Sequence, residues 1–302
     1  MPELPEAEVV AQQLRTHLLG AQLSECWVGR ADIVREGLST LSWYHGARLE
    51  GVERYGKSVA LEFENKGELR YVVAELGMTG LLLFRDTQTK HPQHVHVRMS
   101  FTGGMNQNYA IGTLGGSDGC LCSIGAGLDR YRARRFGVDP LTVPRDEFVR
   151  LLQARRGRLK PLLMHQQVIA GIGNIYANEI LFRARLHPNR EVSRLRGSTI
   201  DTLYDTMQTV LHEAIACGGS SVKDFYAPDG TEGRYKRRHL VYGKEGQPCS
   251  NRCGRMIRRL QSERSSFFVP LANPTAFQGN SCRVHLRESV MKDCDCHTVS
   301  IT

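Results

Sequence analysis

Residues 160–182 read KPLLMHQQVIAGIGNIYANEILF, two apolar stretches joined by a glycine-punctuated turn. Leu162, Leu163 and Met164 form an apolar half-helix, and Val168 and Ile169 lead from it into Gly171-Ile172-Gly173-Asn174. Ile175, Ile180, Leu181 and Phe182 then recur at helical spacing, which predicts a second helix directly after the turn. Such a helix start exposes successive backbone N–H groups and holds a phosphate well. On these residues alone the competing reading is an ordinary helix hairpin whose glycines only allow close packing.

The 302 residues around this stretch suffice for two domains with separate cores. A hydrophobic content of 41% and a charged content of 24% describe an ordinary soluble protein. No apolar run reaches the length of a membrane span, and Met1-Pro2-Glu3 does not begin a signal peptide, so a cytoplasmic location is expected. Forty Lys and Arg against thirty-one Asp and Glu leave +9 and a pI near 9.2, which suits a polyanionic partner. The nine cysteines, an odd number, read as free thiols or the remains of a metal site, not as a disulfide framework.

At the N-terminus, Pro5 and the acidic residues around it predict a helix with Leu14, Leu18 and Leu19 on its apolar face and Gly20 at its end. Pro2 and Glu3 are then either a frayed leader or chemistry. Removal of Met1, usual before a small residue, would free a secondary amine at Pro2. An α-amino group titrates near 8, against about 10.4 for a lysine, which leaves roughly two hundred times more neutral amine at pH 7. Only a neutral amine attacks a sugar C1′ to give a Schiff base, and Glu3 stands next to it to move protons.

Between Ala21 and Ser100, AQLSECWVGR, ARLEGVERY, SVALEFE, LRYVVAEL and GLLLF predict strands, with Lys57 at the hairpin tip Tyr55-Gly56-Lys57-Ser58. Glu75-Leu76-Gly77-Met78-Thr79-Gly80 follows, then a His-bearing stretch, Lys90-His91 and His94-Val95-His96. Gly103–Gly127 holds eight glycines and one charged residue, Asp118. Pro140 marks a boundary. Beyond it, Arg145–Leu152 and Ser198–Ala216 predict helices, and Arg155, Arg156, Arg158 and Lys160 make a basic run.

Taken together, Pro2-Glu3-Leu4-Pro5-Glu6, the GIGN turn after Lys160, and Glu263-Arg264-Ser265-Ser266-Phe267-Phe268 near the end resemble the formamidopyrimidine-DNA glycosylase and endonuclease VIII family. The resemblance covers about residues 1–273 and implies an α+β chain. Residues 1–138 would be a catalytic β-sandwich with an N-terminal helix, 139–240 a helix-two-turn-helix domain, 241–273 a zinc-finger-like β-hairpin and 274–302 a disordered tail. It implies a monomeric DNA glycosylase and abasic-site lyase that works on damaged double-stranded DNA in the nucleoid and cuts by β,δ-elimination. Pro2 would be the nucleophile and Glu3 its proton shuttle. Lys57, Lys160, Asn174 and Arg264 would hold phosphates, Met78 would fill the hole left by the everted base, and His91 would approach DNA. PELPE and a flexible capping loop from Cys217 to Tyr235 favour oxidised purines. Oxidised pyrimidines, the endonuclease VIII preference, and a non-catalytic lesion-binding protein are the alternatives.

Three departures from the family pattern stand out. Glu75 replaces the usual His. The family's intercalating Arg-Phe wedge has two possible places: Arg134 and Phe136, displaced by an insertion, or Leu114–Gly119, where both residues are gone. Spacing favours the second, which makes residues 133–141 the linker. The four-cysteine zinc hairpin is halved to Cys249 and Cys253, spaced C-x3-C, with Val269 and Ala272 where the second pair belongs. No cofactor is required for the chemistry, and apolar packing is the expected replacement for zinc unless Cys282, Cys294, Cys296 or His297 lend ligands.

Overall fold

The computed structural model describes residues 2–77, 80–86, 95–103, 109–114, 120–124, 127–221, 225–261 and 264–270. Pro5, whose fixed φ suits a first turn, starts α1 (Leu4–Leu18), and the Glu6 carboxylate turns back to accept the Glu3 N–H at 2.8 Å. Gly20, at φ 82°, takes the left-handed turn out of the helix. The alternating apolar runs become β1 (Gln22–Val28), β2 (Val34–Glu36), β3 (Arg48–Tyr55), β4 (Ser58–Asn65), β5 (Glu68–Glu75), β6 (Leu81–Asp86), β7 (Val95–Thr102), β8 (Tyr109–Leu114) and β9 (Cys120–Ile124). Their hydrogen-bonded order is β2-β9-β5-β4-β3-β1-β7-β8-β6. β1 meets β3 only at Gln22↔Arg48, and the strands fold there into two facing layers. Phe63 of one layer stacks on Phe101 of the other at 6.2 Å, with Leu61, Val72, Val97 and Met99 around them and α1 against the same core. The expected β-sandwich with its N-terminal helix is what forms.

α2 (Leu128–Arg135) covers the outer face of this sheet, with Leu128 packed on Ala60 and Val73. Glu75 anchors it: its carboxylate accepts the Tyr131 hydroxyl at 2.6 Å and pairs with Arg135. The chain then crosses to the second domain. Gly137 N and Val138 N donate to Gln166 O and Val168 O at 2.8 and 3.1 Å, and a Cβ on Gly137 would lie 2.3 Å from the Val168 carbonyl. Arg54 locks the crossing, binding Glu8 at 2.8 Å, the Gly56 carbonyl at 3.1 Å and Asp139 at 2.5 Å.

α3 (Arg145–Gln153), α4 (Leu159–Leu163), α5 (Asn174–Arg183) and α6 (Gly197–Ala216) follow at or within a residue or two of the expected helices and enclose Phe148, Leu152, Leu163, Ile169, Tyr176, Ile180, Leu203 and Met207. β10 (Arg258–Leu260) and β11 (Ser266–Phe268) form the terminal hairpin. The two large cores trade residues: Leu4 is buried in the helical core, and Phe225 in that of the sandwich. The segment 217–235, expected to be flexible, is tied down in its described part. Arg234 N and Tyr235 N donate to Cys217 O and Gly219 O, Phe84 N donates to Pro228 O at 2.8 Å, and Asp229 N donates to the Gln13 side chain at 3.0 Å. Of this segment, residues 222–224 lie outside the described residues.

Phe225→Ala should therefore lower unfolding free energy by about 3–5 kcal/mol, as expected for emptying a buried phenyl site. Tyr226→Ala, one residue on but exposed, should change it by no more than about 0.5 kcal/mol. Urea unfolding of the two variants checks the pair.

Candidate active site

The Gly171-Ile172-Gly173-Asn174 turn does deliver a helix N-terminus, and within the chain it holds an anion. The Glu3 carboxylate occupies it, accepting Gly173 N at 3.0 Å, Ile175 N at 2.9 Å and Tyr176 N at 3.3 Å. The contact is not local in the chain: Leu4 N donates to Gly171 O at 3.0 Å and draws the N-terminus of the chain across the turn. Gly173 must lack a side chain. Its Cβ would stand 2.3 Å from Glu3 Cδ and 2.7 Å from Lys57 Nζ. Gly171, at φ 94°, is closed in by Leu4 Cβ and the Gly56 carbonyl. Glu3 and Pro2 are both buried.

Lys57 arrives from the β3–β4 hairpin, where Gly56 at φ 59° meets the positive φ that a two-residue turn asks at its first central position. Burial pushes its ammonium below the usual lysine range. Glu3 opposes that shift, and Arg264 adds to it. Asn174 begins α5. Its side chain lies beside the Tyr242 phenol and accepts Asn178 Nδ2 at 3.3 Å. Arg264 is exposed in the hairpin, close enough to influence Lys57, Lys160 and Tyr242. Glu3, Lys57, Asn174 and Arg264 are thus brought together around residue 2.

Lys160 belongs to the same group with a different orientation. Its Nζ donates to Ser265 O at 2.8 Å, Ser266 Oγ at 2.9 Å and, weakly, Arg264 O at 3.4 Å. Burial, first, and then Arg264 bring its pKa down to about 8. The expected phosphate ligand is turned onto the hairpin and holds the turn that carries Arg264. Arg134 is not gathered in. It lies exposed on α2, its carbonyl accepting Gln167 Nε2 at 3.1 Å, while Phe136 packs beside the Tyr55 and Tyr131 rings. Arg134 thus lies in the last turn of α2, and Phe136 directly precedes the pairing of Gly137 with Gln166. Met78 and His91 lie outside the described residues.

Sequence reasoning missed four side chains here. Glu6 is fully enclosed, accepting Glu3 N, the Tyr176 hydroxyl at 2.5 Å and Ser220 N at 2.6 Å; burial, above all, raises its pKa. Glu179 accepts Leu240 N, Val241 N and Tyr242 N at 2.8–3.0 Å, which seats Tyr242 beside Asn174. Only Glu6 carried a sequence signal, its place three residues after the helix N-cap. The partners of Tyr176, Glu179 and Tyr242 are set by tertiary packing alone.

The described part of the hairpin supplies two thiols, Cys249 and Cys253, of the four ligands a structural zinc site needs. Cys249 and Cys253 pack with Phe182, Val241, Ile257, Phe267 and Val269, and no three His, Cys, Asp or Glu side chains converge among the described residues. Two thiolates cannot close a tetrahedral structural site. Residues 271–302, with the remaining cysteines, lie outside the described residues.

Comparison with known proteins shows the family. Residues 1–110 match the formamidopyrimidine-DNA glycosylase N-terminal domain, and residues 136–226 match the formamidopyrimidine-DNA glycosylase H2TH domain. A formamidopyrimidine-DNA glycosylase of Solibacter usitatus is 35% identical over 276 residues, 89% of this chain and 98% of the relative, and one of Gluconobacter oxydans is 33% identical over 284 residues, 89% and 99%. The Lactococcus lactis Fpg solved with DNA containing an abasic site superposes with a TM-score of 0.79 at 28% identity, covering 89% of this chain and 98% of that one. MutM solved with DNA containing carbocyclic 8-oxo-G gives 0.78 at 28% identity and the same coverage.

Protein purified without added metal should contain far less than one equivalent of zinc by elemental analysis, and a chelator should leave its unfolding midpoint unchanged. A full equivalent of zinc, lost in both Cys249→Ser and Cys294→Ser, would show that the C-terminal residues complete a site.

Proposed function

Because the chain belongs to the formamidopyrimidine-DNA glycosylase family, it is a DNA glycosylase of base excision repair that binds damaged DNA, and we propose that it excises oxidised purines through a Schiff base at Pro2. The observation that carries this reading is the Glu3 carboxylate, seated on the α5 N-terminus beside Pro2 with Lys57 Nζ against the same glycine. With Met1 removed, the Pro2 amine attacks C1′ of the everted nucleotide, the damaged base leaves, and an iminium links enzyme and sugar. A carboxylate offers about four lone-pair positions, of which the three N–H groups take three, so one remains to move a proton at the opened sugar. β-Elimination and then δ-elimination from the iminium cut the strand on both sides of the lesion.

Arg264, Lys57 and the Asn174–Tyr242 pair hold the phosphates flanking the lesion, without reading sequence. Phosphate arriving between the two cations offsets their mutual repulsion and so opposes the depression of the Lys57 pKa. No helix among the described residues is long and apolar enough to cross a membrane. A substrate in chromosomal DNA makes the nucleoid the working location.

Borohydride should trap a covalent adduct with abasic-site DNA on residue 2, and Pro2→Gly should reduce it at least tenfold, about 1.4 kcal/mol or more of lost transition-state stabilisation. Trapping that survives chemical blockage of the N-terminus would falsify the assignment and point to a lysine. Glu3→Gln should abolish excision while slowing the nicking of preformed abasic sites less.

A separate expectation concerns the partner base. With Arg134 and Phe136 in the linker, excision of one lesion opposite each of the four bases should proceed at similar rates. A strong preference for one partner base, lost in Arg134→Ala, would return these residues to the duplex.

A further inference from the structure

Ser220 and His239 are buried polar side chains for which the chemistry above has no use, each 4% exposed. They sit where the two ends of the 217–239 loop close on one another. Arg234 N donates to Cys217 O at 2.8 Å, Tyr235 N to Gly219 O at 3.0 Å, and Ser220 bridges to Arg234. Ser220 Oγ lies 2.9 Å from His239 Nε2, and Ser220 N donates to Glu6 Oε1 at 2.6 Å. Gly219, at φ 81°, lies so close to Glu6 that a Cβ there would stand 2.9 Å from the Glu6 Cγ and Oε1. The loop stem thus rests directly on the carboxylate whose other oxygen holds the Glu3 N–H.

The His239 ring stands edge-on to Tyr235 and Tyr242, 5.7 Å from each centroid. Burial, with Lys244 and Lys236 nearby, lowers its pKa to about 4, so the ring is neutral when it bonds the serine. A residue needed only to fill the gap between two tyrosines would be apolar. A neutral imidazole bonded to a hydroxyl that is itself buried does more than fill: it fixes the rotamer of Ser220 and the path of its backbone.

We infer that Ser220 and His239 are positioning residues: the hydroxyl–imidazole bond locks the loop stem so that the Ser220 N–H holds Glu6, and through Glu6 the turn that carries Glu3 and Pro2. The inference rests on the Pro2 reading. It ties the geometry of the loop that resembles a lesion cap to the geometry of the nucleophile 218 residues earlier in the chain.

The test measures single-turnover rates of base excision and of borohydride trapping on preformed abasic sites, together with Kd for abasic-site DNA, in Ser220→Ala, Ser220→Thr, His239→Leu and His239→Gln. Ser220→Ala and His239→Leu should slow both chemical steps about tenfold to hundredfold, the range expected when a reacting group is displaced by a fraction of an ångström to an ångström. Kd should stay within about twofold, and the hydroxyl- or amide-bearing variants should recover most of the rate. Wild-type rates in His239→Leu, a loss confined to Kd, or Ser220→Thr as slow as Ser220→Ala would each overturn the inference. If His239→Leu does not fold, the two serine variants, which leave the ring in place, decide. Mapping the wild-type adduct by mass spectrometry separates the two layers. A label away from residue 2 defeats the nucleophile assignment, whereas a label on residue 2 with unchanged variant rates defeats only the lock.

Discussion

Three backbone N–H groups closing on one carboxylate hold this molecule's two halves in register. Hydrogen bonds to a charged acceptor contribute about 1.5–3 kcal/mol each, and the helix end favours an anion by up to about 2 kcal/mol in a partly buried setting. Much else in the interface is dictated by this seat. Leu4, the next residue, must enter the helical core. Gly173 must stay bare. Lys57 must come from a hairpin tight enough to reach past Glu3, which requires Gly56.

Two further buried acids repeat the same solution. Glu6 gathers N–H groups from residues 3 and 220, and Glu179 from residues 240–242. Each carboxylate collects backbone donors from a distant segment, and none of the three is neutralised by a lysine in the site. The site's two lysines are drawn by Glu3 and repelled by Arg264. Burial depresses Lys57 and Lys160, Glu3 opposes the shift, and Arg264 adds to it, so a polyanion that offsets the repulsion between the cations is favoured there.

Much of this was legible in the residues. The alternating runs of the first hundred residues gave strands close to their observed limits, because a half-buried sheet imposes its period directly on the sequence. The GIGN turn gave a helix start for the same local reason. What filled that start was not legible, since nothing near Gly173 in the chain says that residue 3 will lie across it. Lys160 read as a phosphate ligand, yet its ammonium points at carbonyls 105 residues away. Spacing alone assigned Arg134 and Phe136 to the linker. Spacing alone, however, could not show Phe136 packed among Tyr55 and Tyr131 or Glu75 anchoring the helix between them.

The separation between Glu3 and its donors also bears on how the protein comes into being. During synthesis the N-terminal strands and their lysine hairpin leave the ribosome long before Gly173 is made. Until then the carboxylate has no helix end to rest on and Leu4 has no core to enter. The seat of Glu3 thus exists only after more than half of the chain has been made, so truncated or unfinished molecules carry residues 2 and 3 without the helix end that orders them.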